Sequence, residues 1–192
     1  MALMALGLLV SLAVGMVRGG RLDRLVEFEF RAFWAVIAAF ALQYLLNSAD
    51  ATRPSPVVSF FIPIHVAVYA ILGYALWVNL ATPGVKVIAA GVALNFLVIA
   101  VNGMRMPVSV DVMRWAGMPS QVAFLETGKA LTHVALEPAT RLKFLGDVLA
   151  IPRPFPSPSA FSFGDVLMLV GVFILVQAAM LGPAAKASDG AA

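Results

Sequence analysis

Two stretches of the 192-residue chain read Gly-Asp-Val-Leu, at 146–149 and at 164–167, with the proline-rich run "PRPFPSPS" between them. In a chain with only 12% charged residues, a carboxylate placed twice in one setting is the first candidate for chemistry. If the proline run folds back, Asp147 and Asp165 meet near His133, Arg105 or Arg141. Carboxylates and an imidazole so held can exchange a proton or bind an ion. Each aspartate also has a structural explanation. Lys143 precedes Asp147 by four residues, the spacing that pairs side chains on one helix face. Ser162-Phe-Gly-Asp165 has the form of a capping box, with Asp in place of Glu or Gln, and its charge suits the positive end of a following helix.

Other groups invite the same double reading. Glu126, Lys129, His133 and Glu137 fall close together if 120–137 is helical, and a His and Glu at i and i+4 can share a proton or a metal. Lys129 beside them disfavours a cation, no HExxH pattern is present, and a solvated face laced by ion pairs fits better, so no metal site is assigned. Gln43, His65, Asn79 and Asn95 are polar residues inside apolar runs, where each must face other helices. They frame a small ligand pocket or serve as interhelical glue, and both readings stay open. Pro63, two residues before His65, frees a backbone carbonyl near that imidazole. The chain has no cysteine, which removes disulfides and thiolate chemistry. Nucleotide-binding, hydrolase and kinase motifs are missing from it, no cofactor is implied, and no basic face suggests nucleic acid.

The elements that must position these residues are apolar. The chain is 61% hydrophobic with net charge +3, and its apolar residues gather into runs near the length that crosses a bilayer. The expected fold is all-α: one polytopic membrane domain, 1–192, with spans at about 2–17, 29–46, 57–80, 85–101 and 165–183. Segment 102–163 forms an interfacial helical cap and 184–192 a disordered tail. Within the cap, a surface helix runs from Ser120 to Glu137 and a shorter one from Thr140, with Leu142, Leu145 and Leu149 on one face. The proline run is a stiff extended link. Re-entry of 120–151 into the membrane is the alternative.

The first apolar run starts uncharged and is followed by Arg18, Arg21, Arg24 and Arg31, so it reads as an uncleaved span. The positive-inside rule then places the N-terminus outside a plasma membrane and the C-terminus, with Lys186, in the cytoplasm. Gly7, Ser11, Gly15 and Gly19 recur every fourth residue along this span. Such a stripe lets another helix approach, from within the chain or from a homo-oligomer.

Read in order, "RGGRL", "NGMRMP", His133, Glu137, the stretch from Thr140 to Asp147, the proline-rich link and Ser162-Phe-Gly-Asp165 resemble a known family. It is the family of small bacterial multi-pass membrane proteins called domain of unknown function 5317. The family pattern has Asn-Gly-Gly before Met-Pro, whereas this chain has Asn102-Gly103-Met104-Arg105, so no role is carried over to that turn. The resemblance implies an integral membrane protein and transfers no activity. Three functions are open: binding or transport of a small solute or lipid group at His65, Asn79, Asn95 and Gln43; a membrane-edge enzyme using Asp147, Asp165 and His133; or an assembly partner of another membrane protein.

Overall fold

The computed structural model describes residues 2–182, so the tail at 184–192 and Lys186 lie outside the described residues. The chain is mostly helical. Five apolar helices occupy the five expected segments: α1 (Ala2–Val17), α3 (Phe33–Ser48), α5 (Phe61–Trp77), α6 (Val85–Val101) and α9 (Phe163–Leu181). Two short helices join them, α2 (Asp23–Glu27) and α4 (Pro56–Ser59). Among the described residues only α9, with 19 residues and a mean hydropathy of 2.2, is long and apolar enough to cross a membrane alone. The other four have 16 or 17 residues, about 25 Å at 1.5 Å per residue against about 30 Å of hydrocarbon core. Helix length therefore does not carry the expectation of five spans.

Local signals explain the helix ends. Ser55 caps α4 by accepting from the Val58 N–H at 3.2 Å, with Pro56 as the first helical residue. Pro63 is the third residue of α5, where its missing N–H would have had no helical partner anyway. It therefore opens no carbonyl for His65, whose partner comes from elsewhere. The capping box at α9 forms as its sequence predicts, with Ser162 and Asp165 each accepting from the other's backbone N–H, at 3.1 and 2.9 Å.

Packing does not follow chain order. The last helix, α9, lies between α1 and α6, and α5 joins α6 to α3. Contact is closest where glycines meet. A Cβ at Gly91 would strike the Gly164 carbonyl, and one at Gly171 the Gly84 carbonyl, so α6 and α9 run antiparallel with their backbones nearly touching. On its other side α9 fills the small-residue stripe of α1: Leu169 lies over Gly7, Met180 over Gly15, and Ser11 Oγ lies 3.4 Å from the Phe173 carbonyl. Gly19 does not belong to that face, because it follows the helix with φ +82° and nothing near its Cβ position. The stripe is thus used within the chain.

The segment after α6 corrects the all-α expectation. It folds as β1 (Met106–Val108), α7 (Val110–Trp115), α8 (Pro119–Glu126), β2 (His133–Ala135), a 3₁₀ turn (Lys143–Leu145), β3 (Leu149–Ile151) and β4 (Ser159–Phe161). Strands β1 and β2 pair in parallel, with Met106 opposite His133, and β3 and β4 pair antiparallel, with Ile151 opposite Ser159. Val108, Met113, Ala116, Met118 and Val122 form a core of the cap's own.

The expected surface helix at 120–137 stops at Glu126 because Gly128 takes φ +71°, a left-handed geometry that ends a helix. Glu126, Lys129, His133 and Glu137 therefore share no helical face, and Glu126 pairs with Arg114 at 2.6 Å. The short helix expected from Thr140 is a single 3₁₀ turn followed by a strand. The proline run is no straight link: it turns the chain back between β3 and β4.

Candidate functional site

A cavity of about 130 Å³ lies where α3, α5, α6 and α9 meet the cap. Gln43, His65, Asn95, His133, Asp147 and Asp165 all line it. With the proline run folded back, Asp147 and Asp165 come to one place, beside His65 and His133, the chain's two histidines. Tyr69, Ile99, Met106 and Thr132 complete the wall. Asn79 is not there. It sits beyond the far end of α5, where its side chain bonds the Arg31 backbone at 2.9 and 2.7 Å and the Ala75 carbonyl at 2.7 Å, and so ties the chain before α3 to α5.

Glycine explains how each aspartate reaches the cavity. A Cβ at Gly146 would meet the Pro107 carbonyl, and one at Gly164 would meet Asn95 Oδ1 and the Gly91 carbonyl. Each Gly-Asp is a close backbone approach that leaves the next side chain at the cavity. The Asp147 N–H donates to the Pro107 carbonyl at 2.9 Å, and the Ser109 N–H donates to the Asp147 carbonyl at 3.1 Å. Residue 147 thereby joins β1 on the side opposite β2, which carries His133.

The hydrogen bonds fix which atoms are free. His65 Nδ1 lies 2.9 Å from the Met104 carbonyl, which can only accept, so Nδ1 carries the proton and Nε2 is the accepting nitrogen. The Thr132 hydroxyl donates to Asn47 Oδ1 at 2.7 Å, and Gln43 Nε2 donates to the same oxygen at 3.2 Å. His133 Nδ1, 2.8 Å from the Thr132 oxygen, must then donate to it. Its Nε2 is left as an acceptor, 4.0 Å from Asp147 Oδ2.

Among the described residues Asp147 pairs with no Lys or Arg. Lys143 is exposed and makes no ion pair with it among the described residues. Arg105 lies over the Phe61 ring at 5.9 Å, and Arg141 meets Asn102 through its backbone. Burial pushes the Asp147 carboxyl up to about 8, and the Asp165 carboxylate on the same cavity adds to the rise. Burial, then the positive charge His65 would carry, hold His133 below the usual imidazole range. Its side chain keeps 40% of its surface accessible, beside two pockets, so water there offsets part of the burial. At neutral pH the pair is a carboxylic acid facing an imidazole, one proton between them.

Asn95 joins the cavity to the α9 cap. Its Nδ2 donates to Asp165 Oδ1 at 3.0 Å, and its Oδ1 accepts from the buried Ser162 hydroxyl at 2.8 Å. Asn95→Ala strips a partner from both, and a thermal melt in detergent is expected to show a loss of about 1–2 kcal/mol. Among the described residues no three His, Asp or Glu side chains stand close enough to hold a metal ion together.

Residue types and spacing did not mark Thr132 and Tyr69 at the cavity, nor Gln177 in α9. Gln177 carried the same signal as Asn95, an amide in an apolar run. It donates to the Ser11 carbonyl at 2.7 Å and accepts from Arg18 at 3.1 Å.

A family model described as a family of unknown function, DUF5317, matches residues 27–177. The chain belongs to the DUF5317 family. The matched span contains every residue that lines the cavity and stops short of α1. A similar protein from Thermotoga maritima, described as "Uncharacterized protein", is 24% identical over 155 residues, covering 81% of this chain and 79% of its own. No solved structure matches.

Proposed function

We propose that this DUF5317 member is a multi-pass membrane protein that binds a small cationic hydrogen-bond donor, of the ammonium type, in the cavity between bundle and cap. The cavity lining is the observation that carries the reading. Among the described residues it contains no Lys or Arg. Gln43, Asn95 and Thr132 each direct a donor at a protein acceptor, whereas His65 Nε2, His133 Nε2 and Asp147 Oδ1 receive no hydrogen bond among the described residues, a set of acceptors larger than the Tyr69 hydroxyl on the same wall can satisfy. Such a site is completed by an occupant that donates.

The outer surface supports the membrane reading. Trp34, Ile37, Phe40 and Tyr44 on α3 are all more than half exposed, a row of large apolar side chains that lipid covers without cost. Trp34 and Trp77 stand near the arginine-rich turns, with Tyr44 and Trp115 toward the cap, as an aromatic belt requires. Helices of 16 or 17 residues span by local thinning of the bilayer. Arg18, Arg21, Arg24 and Arg31 sit on short turns at the pole opposite the cap, which orients that pole to the cytoplasm of a plasma membrane.

A cation favours the ionised carboxylate, so binding expels the Asp147 proton. Below about pH 8 the ligand competes with that proton, and each unit of acid costs about tenfold in affinity. Methylammonium titrated calorimetrically into the full chain in detergent is expected to bind about tenfold more tightly per unit from pH 6 to 8 and level off above. Undetectable binding, or affinity flat with pH, would overturn the reading.

The enzymatic alternative draws on the same cavity, since Asp147, Asp165 and His133 share it. Size favours the ion: a cavity of about 130 Å³ is small beside the pockets of several hundred Å³ that hold larger organic ligands.

A further inference from the structure

A second pocket, of about 260 Å³, adjoins the polar cavity and shares Thr132, His133 and Asp147 with it. Met113, Met118, Phe124 and Leu131 also line it, so it sets an apolar wall beside the polar groups. Among the described residues two buried side-chain polar atoms lack any hydrogen-bond partner, Asp147 Oδ1 and Ser159 Oγ, and both residues border this pocket. Buried polar atoms are nearly always paired, and two orphans on one wall mark where a ligand's polar group belongs. The β3–β4 hairpin that carries Ser159 therefore contributes to a site.

We propose that the occupant is a protonated primary amine with a short apolar chain, its head at Asp147, Ser159 and His133 and its chain in the methionine-lined pocket. An ammonium group has three N–H donors, and Asp147 Oδ1, Ser159 Oγ and His133 Nε2 are acceptors on residues that all line this pocket. Methionine side chains adapt to chains of different shape, which suits Met113 and Met118 to a flexible alkyl tail. This inference rests on the cation reading above and goes beyond it in assigning the tail and the second pocket.

The test is chain-length dependence on the full protein in detergent at pH 8.5, with methyl-, propyl- and hexylammonium. Affinity is expected to rise about fourfold per methylene. Ala160→Leu places a side chain in the pocket and is expected to remove that rise while leaving methylammonium binding as it was. Partition into detergent is common to both proteins and cancels. Phe124, 40% exposed, tolerates truncation, and Phe124→Ala is expected to move the tightest binder to a longer chain. Affinity flat with chain length would overturn this inference and leave the cation reading standing. No binding even of methylammonium would overturn both.

Discussion

Asp147→Asn is expected to abolish the fall in stability that the buried carboxyl imposes on the wild-type protein between pH 6.5 and 8. The Asp147 carboxyl titrates near 8 in the folded chain and near 4 unfolded, so the folded state holds an extra proton between those values. Its stabilising contribution is complete below about pH 4 and is lost as pH rises to about 8. His133 acts in the opposite sense. Its folded value lies below the usual imidazole value, so its contribution grows with pH up to about 6.5 and is constant above. Among the described residues the groups facing Asp147 are His133 from β2, His65 and Tyr69 from α5, and Asp165 from α9, with no Lys or Arg. From pH 6.5 to 8, then, Asp147 is left to set the slope, about 2 kcal/mol over the interval at about 1.4 per unit. At pH 9 the neutral amide of Asp147→Asn escapes the whole cost of burying a charge, about 5 kcal/mol. Chemical denaturation in detergent at half-unit steps measures both. Parallel profiles for the two proteins would place Asp147 in water and remove the acid–imidazole pair.

Alanine at position 164 is expected to cost about 3 kcal/mol, the upper end of overpacking penalties. Its Cβ would meet the Gly91 carbonyl, a backbone atom that cannot rotate away, and would push Asn95 from its place between Ser162 and Asp165. Gly73→Ala is the control. It lies in α5 with nothing near its Cβ position, so the added methyl is expected to stabilise the helix by up to about 1 kcal/mol. Melting temperatures of the two variants should move in opposite directions. If Gly164→Ala melts like the wild type, the α6–α9 crossing is looser than the backbone contact implies.

These outcomes depend on features that residue order revealed unequally. The small-residue stripe of α1 was visible because one helix carries Gly7, Ser11 and Gly15 at a fixed interval. The closer crossing of α6 and α9 was not, because its glycines, 84 and 91 against 164 and 171, are divided between two helices that only the fold brings together. Asn79 and Asn95 looked alike as amides in apolar runs. Position along the bundle separated them, one at the arginine-bearing turns and the other at the cavity.

By itself the sequence determined the apolar helices and the role of Asp165 in capping the last one. Both follow from residues within a turn or two of each other, through hydropathy runs, capping side chains and prolines placed where a helix can begin. Tertiary structure alone decided the partner of Asp147. His133 reaches it because Gly128 ends a helix early and β1 lies between the two residues, and Asp165 reaches Asn95 across 70 positions. Pairings of that kind leave no periodic trace in the chain, because the residues that make them are neighbours only after the backbone hydrogen bonds of the cap and the close approach of two helices have formed.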